Sequence, residues 1–221
     1  MRNGEKSDSA GIRKLQPVKK FFALLIAILF HPLFLFFYSI CLFLQLLPHS
    51  ESGNPELFAA LFIATILIPF ALILLCRAAG LISSLQMPER KDRHLPHLLT
   101  FIVYIGAFFF LKKELQQTPV AAGMLVGTVL CLGLTGLITL FWKISSHMAG
   151  IGGFSGFFTM IYIAENQAAF LIAALSGLFF AGLIGLSRFY LKAHTLWQLL
   201  AGFFLGIACS SVSLCFFAEL F

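Results

Sequence analysis

Long apolar runs alternate with short polar segments along most of this chain. A helix needs roughly 20 apolar residues to cross a bilayer core, and seven stretches approach that length. The first is Phe21 to Leu47. His31-Pro32 lies in its middle, where the missing proline N–H and the ring clash predict a kink. It is too long for the apolar core of a signal peptide. Leu57 to Ala79 is the second. His97 to Leu111 is short, and would be re-entrant if the count were six. Pro119 to Trp142, Met148 to Ala164, Gln167 to Leu186 and Thr195 to Phe217 complete the set. The fifth carries Gly150, Gly152, Gly153 and Gly156, small residues that let membrane helices approach closely. The pattern predicts an all-α, multi-pass transmembrane bundle of six or seven spans. A polar basic segment, 1–20, precedes a single membrane domain, 21–221.

Composition narrows the class. Hydrophobic residues make up 60% of the 221 residues and charged residues 11%, against about 25% charged in soluble domains. A cytosolic enzyme, a secreted disulfide scaffold and a disordered chain are excluded. The 27 Phe against two Trp and four Tyr suit lipid-facing and inter-helix positions, because a phenyl ring has no polar end to satisfy. Cys41, Cys76, Cys131, Cys209 and Cys215 lie singly in apolar runs without metal-type spacing, and read as small core hydrophobes.

The acids exclude more. None of the nine Asp and Glu sits in the middle of an apolar run. Magnesium-dependent phosphotransferases need paired carboxylates for the metal. Proton-coupled carriers usually need an intramembrane acid. No metal and no cofactor is implied. The net charge of +6 reads as membrane topology and anion sites, not nucleic-acid binding, since no basic helix or aromatic-interleaved patch accompanies it.

Three internal polar segments are separated by even numbers of spans: Gln86 to Pro96, Lys143 to His147, and Ser187 to His194. An even number of crossings returns the chain to the same side, so all three share one face. They bring Arg90, Lys91, Arg93, Lys143, Arg188 and Lys192 together with His94, His147 and His194, opposed only by Glu89 and Asp92. That face is suited to an anion. Ser145 and Ser146 precede an apolar run as N-caps do, and a helix start presents free N–H groups to an anion. Gln198 lies four residues after His194, on the same helical face.

These residues resemble the type-2 phosphatidic acid phosphatase superfamily over about 86–221. Ser187-Arg188, five residues, His194, three residues and Gln198 is similar to its third signature, Ser-Arg, five residues, His, three residues, Asp. Ile144-Ser145-Ser146-His147 resembles the second, Pro-Ser-Gly-His. Gln86, six residues, Arg93 and then Pro96 is a degraded form of the first, Lys, six residues, Arg-Pro. The resemblance implies a divergent bacterial member with a phosphatase-like helical core. It implies that His194 attacks phosphorus to form a phosphohistidine, and that His147 protonates the leaving oxygen and then activates water. Arg188 and Arg93 would clamp phosphate oxygens, Ser145 and Ser146 would donate to them, and Lys91 or Lys143 would replace the charge lost at Gln86. Neutral imidazole is a competent nucleophile, and guanidinium forks match phosphate.

One departure bears on chemistry. The family's Asp fixes the nucleophile's tautomer and stabilises its positive charge; Gln198 can accept the hydrogen bond but carries no charge. In serine proteases the analogous Asp-to-Asn change costs about 10⁴ in kcat. Asp92 is the rival partner for His194.

The expected function is metal-independent hydrolysis of a lipid phosphate or polyprenyl (di)phosphate, with membrane lipid around it. The alternatives are a weak or inactive relative that binds a phospholipid, and a transporter or scaffold. His31 reads as a kink or hydrogen-bonding residue, His94 and His97 as interfacial, and His49 as loop. Six basic residues before the first span put the N-terminus in the cytoplasm by the positive-inside rule. The site face would then be cytoplasmic, whereas the family's bacterial members usually face the periplasm of the inner membrane.

Overall fold

In lipid a backbone must satisfy its own hydrogen bonds, so the apolar runs fold as helices. The computed structural model describes residues 17–46, 55–87, 89–116 and 118–217, and no strand occurs among them. Arg2, Lys6, Arg13, Lys14 and His49 lie outside the described residues. Six helical spans are long and apolar enough to cross a membrane: 55–78, 91–110, 119–141, 146–165, 168–190 and 196–216. A bent pair, α1 (Pro17–Leu29) and α2 (Pro32–Leu46), meets at 57° and makes the number up to seven if the pair counts as one broken span. The protein is a multi-pass helical membrane bundle.

Both irregular spans are explained by proline. Pro32 has no N–H for the Ile28 carbonyl, and the His31 N–H takes that carbonyl instead, at 3.2 Å. The Ala27 carbonyl, the normal partner of the His31 N–H, is thereby left outside the helical ladder. The second span runs α3 (Pro55–Phe62), a π-turn over Ile63–Leu67, and α4 (Ile68–Ala78). Pro69 has no N–H for Thr65, four residues earlier. The Thr65 carbonyl accepts instead from the Tyr104 hydroxyl, at 3.1 Å. Tyr104 is buried in α5 (His94–Phe110).

The third span is long enough to cross, not short as its apolar run suggested. A 3₁₀ turn, Lys91–Arg93, extends α5 backward. It can do so because Asp92 and Arg93 are buried with partners: Asp92 accepts from the Ser83 hydroxyl, and Arg93 Nε donates to the Met87 carbonyl at 3.0 Å. A four-residue helix, α6 (Lys112–Leu115), leads to α7 (Pro119–Phe141). Then come α8 (Ser146–Glu165), α9 (Ala168–Tyr190) and α10 (Leu196–Phe217). Helix α9 runs four residues past its expected end at Leu186, so Ser187 and Arg188 stand in its last turn rather than in a loop. A cation suits the carbonyl end of the helix dipole.

The tightest packing joins α8 to α10. A Cβ on Gly206 would run into the Ala149 carbonyl, and one on Gly152 into the Phe203 carbonyl. Backbones that close are possible only with glycine at both places. Around this seam Leu35, Leu61, Met124, Phe158, Phe170 and Ile184 fill the core. Large apolar side chains such as Phe110, Phe141, Leu186 and Phe216 remain on the outside, as lipid contact demands.

Candidate functional site

The head of α10 is built by its own sequence. Thr195 and Gln198 form a reciprocal cap. The Thr195 hydroxyl oxygen accepts from the Gln198 N–H at 3.5 Å, and Gln198 Oε1 accepts from the Thr195 N–H at 3.1 Å. A backbone N–H can only donate, so this bond fixes which end of the Gln198 amide is oxygen. The same Oε1 lies 3.2 Å from His194 Nδ1. Nδ1 therefore carries the hydrogen, and Nε2 keeps its lone pair. Arg93 Nη1, which can only donate, stands 3.4 Å from Nε2.

His194 is neutral in this setting. Burial pushes its imidazole down to about 3, and the charges of Arg93, Arg188 and Lys143 push in the same direction against the Gln198 hydrogen bond. Burial, then Arg93 and Arg188, also lowers the Lys143 ammonium. Three cations thus converge on one imidazole. Arg188 Nε is buried and has no hydrogen-bond partner among the described residues. Buried donors are rarely left so, and an anion is the ligand that would satisfy it.

The 142–145 loop is tied to this corner. The Ser145 N–H donates to the Gln198 carbonyl at 3.3 Å, and Ser145 Oγ caps α8 by accepting from the Met148 N–H at 3.4 Å. His97 Nδ1 donates to the Arg93 carbonyl at 2.8 Å, so its Nε2 accepts from the Ser146 hydroxyl at 3.1 Å. His147 Nε2 lies 3.0 Å from the Ala27 carbonyl, and its ring stands nearly perpendicular to that of His31, with centroids 5.4 Å apart. Arg188 and His194 are within electrostatic reach of His147. The Ser187 hydroxyl donates to the Ala23 carbonyl at 2.6 Å.

The expected site residues divide accordingly. His194, Gln198, Arg93, Arg188, Lys143, Ser145, Ser146 and His147 come together. Lys91 does not: it is exposed and pairs with Glu89 at 3.0 Å. The reason is that the short 3₁₀ turn sends neighbouring side chains in different directions, Arg93 inward and Lys91 outward. Gln86 is exposed on its turn. Asp92 is engaged by Ser83, and the partner of His194 is Gln198. His94 faces the Thr139 carbonyl at 3.4 Å. His31, expected as a kink or hydrogen-bonding residue, stands at the bend before Pro32, and His97, expected as interfacial, bonds Ser146; neither is among the expected site residues. Two signals were available: His31 is a polar residue in mid-span, a functional flag in membranes, and His97 lies one helical turn after Arg93.

An open groove of about 1140 Å³ leads to His194. Its walls are Phe22 and Ile26 of α1 with Leu183 and Leu186 of α9. Lys19, Lys143, Lys192, Ser187 and Gln198 line its polar parts. The groove has the amphipathic lining that a lipid with an anionic head requires.

A family model described as the PAP2 superfamily matches residues 139–221, which bears out the resemblance seen in the sequence. The match holds Ser145 to His147, Ser187-Arg188, His194 and Gln198; Arg93 and helices α1 to α6 lie before it. No curated protein and no solved structure matches the chain.

Proposed function

Starting from this carboxy-terminal PAP2 segment, which supports a phosphatase-type function in general, we propose that the protein is a membrane lipid phosphatase. Its substrate is a phosphate monoester or diphosphate on a lipid or polyprenyl carrier. The observation that carries the reading is His194: a neutral imidazole, its Nδ1–H held by Gln198 and its Nε2 lone pair facing Arg93.

The substrate tail lies in the groove between α1 and α9, and the phosphate binds Arg93, Arg188 and the free N–H groups at the start of α8. Phosphoryl transfer needs mostly positioning and charge stabilisation, which these donors supply. His194 Nε2 attacks phosphorus. Neutral His147 first takes the proton of the bound phosphate's own hydroxyl; the P–O bond to the lipid then breaks, and the lipid oxygen takes that proton from His147. Water then attacks the phosphohistidine and gives a proton to His147. The P–N bond breaks, and phosphate leaves, taking that proton back from His147. His147 ends as it began. The carboxylate-poor sequence matches a reaction that uses no metal.

The neutral Gln198 favours one second reading, a relative that binds the same lipids without turning them over. Phosphate release from detergent-solubilised protein, with a panel of lipid phosphates and EDTA present, separates the two. Release by the wild type and none by His194→Ala is expected. Lipid co-purification without release favours the second reading. Equal release by His194→Ala removes His194 as nucleophile.

A further inference from the structure

We propose that the proline break in the first span is a positioning device for His147: it releases the Ala27 carbonyl to hold the His147 Nε2–H, making Nδ1 the nitrogen that exchanges protons with substrate. The last clause rests on the phosphatase reading; the tautomer itself does not.

The argument begins with a missing donor. Pro32 cannot serve the Ile28 carbonyl, the His31 N–H moves there, and the Ala27 carbonyl loses its helical partner. In lipid such a carbonyl must find a donor. The donor is His147 Nε2, 3.0 Å away and 120 residues later in the chain. A carbonyl oxygen only accepts, so the hydrogen is on Nε2 and the lone pair is on Nδ1.

Two further contacts hold the arrangement. One turn earlier, the Ala23 carbonyl accepts from Ser187, the residue before Arg188. Ala23 and Ala27 are both buried, and their methyl side chains allow α1 to lie close against α8 and α9. The His31 ring packs across that of His147. His31 Nδ1 accepts from the Leu33 N–H at 3.4 Å, so the residue at the break is itself oriented by the start of α2.

A histidine that gives and takes protons must present one chosen nitrogen; what the other nitrogen bonds to decides which. Here the Ala27 carbonyl serves. Nδ1 takes its proton from the hydroxyl of the bound phosphate, and the imidazolium keeps its Nε2–H on that carbonyl. Nδ1 releases the proton to the leaving oxygen as the P–O bond breaks, and regains one from the attacking water as the P–N bond breaks. Residues 139–221 contain the histidine but not the carbonyl, so the first span completes the site. Ala27 and Pro32 are positioning residues; neither would touch substrate.

Nitrogen-15 NMR of histidine-labelled protein tests this, with His147→Ala for assignment. The expected wild-type spectrum has His147 protonated at Nε2 and bare at Nδ1. Pro32→Ala lets the His31 N–H return to the Ala27 carbonyl. His147 should then populate both tautomers, and kcat should fall about tenfold with KM changed less than about twofold. A wild-type His147 protonated at Nδ1 alone overturns the proposal, and that spectrum decides even if Pro32→Ala fails to fold. A Pro32→Ala protein with unchanged tautomer and unchanged kcat overturns the role of the break. An Nε2–H tautomer in a protein without phosphatase activity supports the positioning device and counts against the phosphatase reading.

Discussion

The two ends of this bundle solve close packing in opposite ways. The α8–α10 seam is regular helix against regular helix, brought together by glycine where a methyl group would strike a carbonyl. The first two spans are broken by Pro32 and Pro69, and each break hands a carbonyl to a side chain on another helix. The seam sets distances; the breaks supply polar atoms where straight helices would have none. Even the two breaks differ. Thr65 is satisfied by the Tyr104 phenol deep in the core, which is structural, whereas Ala27 is satisfied by a histidine within electrostatic reach of Arg188. A proline break thus gains chemical use only where its freed carbonyl meets a titratable group.

The largest effect should come from the charged end of α9, which the seam holds in place. Arg188→Lys keeps the charge but loses the fork, and kcat/KM for phosphate release should fall about 100-fold, in line with the cost of one transition-state donor. Unchanged kcat/KM would take Arg188 out of the site. Gly206→Ala challenges the seam itself. Overpacking against the Ala149 carbonyl should cost about 1–3 kcal/mol, whereas Gly106→Ala, with open space around it, should stay within about 1 kcal/mol of wild type. Equal thermal shifts for the two would mean that the seam is not tight.

Tyr104→Phe examines the structural break. The Thr65 carbonyl would lose its partner, at a cost of about 1–3 kcal/mol, while kcat stays unchanged. A loss of kcat would mean that the two breaks are not separable.

Smaller and opposite in sign is the change at Gln198. Asp in that position adds charge but is one methylene shorter than the cap requires. Gln198→Glu keeps the reach to both Thr195 and His194 and should raise turnover about tenfold, a modest part of the 10⁴ that a buried carboxylate contributes elsewhere. A fall in turnover would show that the neutral amide suits the site better.

The smallest effect is an absence of pH dependence. Folding lowers the His194 value from the ordinary 6.5 to about 3, so the imidazole is neutral above about pH 4. The stability tied to its neutral form is complete above 6.5 and is lost as pH falls toward 3. With a substrate whose ionisation is accounted for, kcat/KM should show no limb near 6.5 from His194. A limb there that vanishes in Arg93→Ala would place the charges differently.

Much of this was legible in the chain. Apolar run length alone determines the helical class and nearly every span, because a bilayer core leaves the backbone no other partner. Even spacing of the polar segments determines that they return to one side, and the Ser187-Arg188, His194 and Gln198 pattern points to the chemistry. Residue spacing also places Gln198 against His194, since positions i and i+4 share a helical face.

Only tertiary structure decided the rest. Lys91 and Arg93 are two residues apart and indistinguishable as charges, yet one pairs with Glu89 outside and the other meets His194 inside. Asp92, the rival partner for His194, is instead held by Ser83. The bond from His147 to Ala27 joins residues 120 positions apart. Sequence reports where proline must break a helix. Which side chain answers the freed carbonyl depends on which helix packs against the break, and no local pattern encodes that.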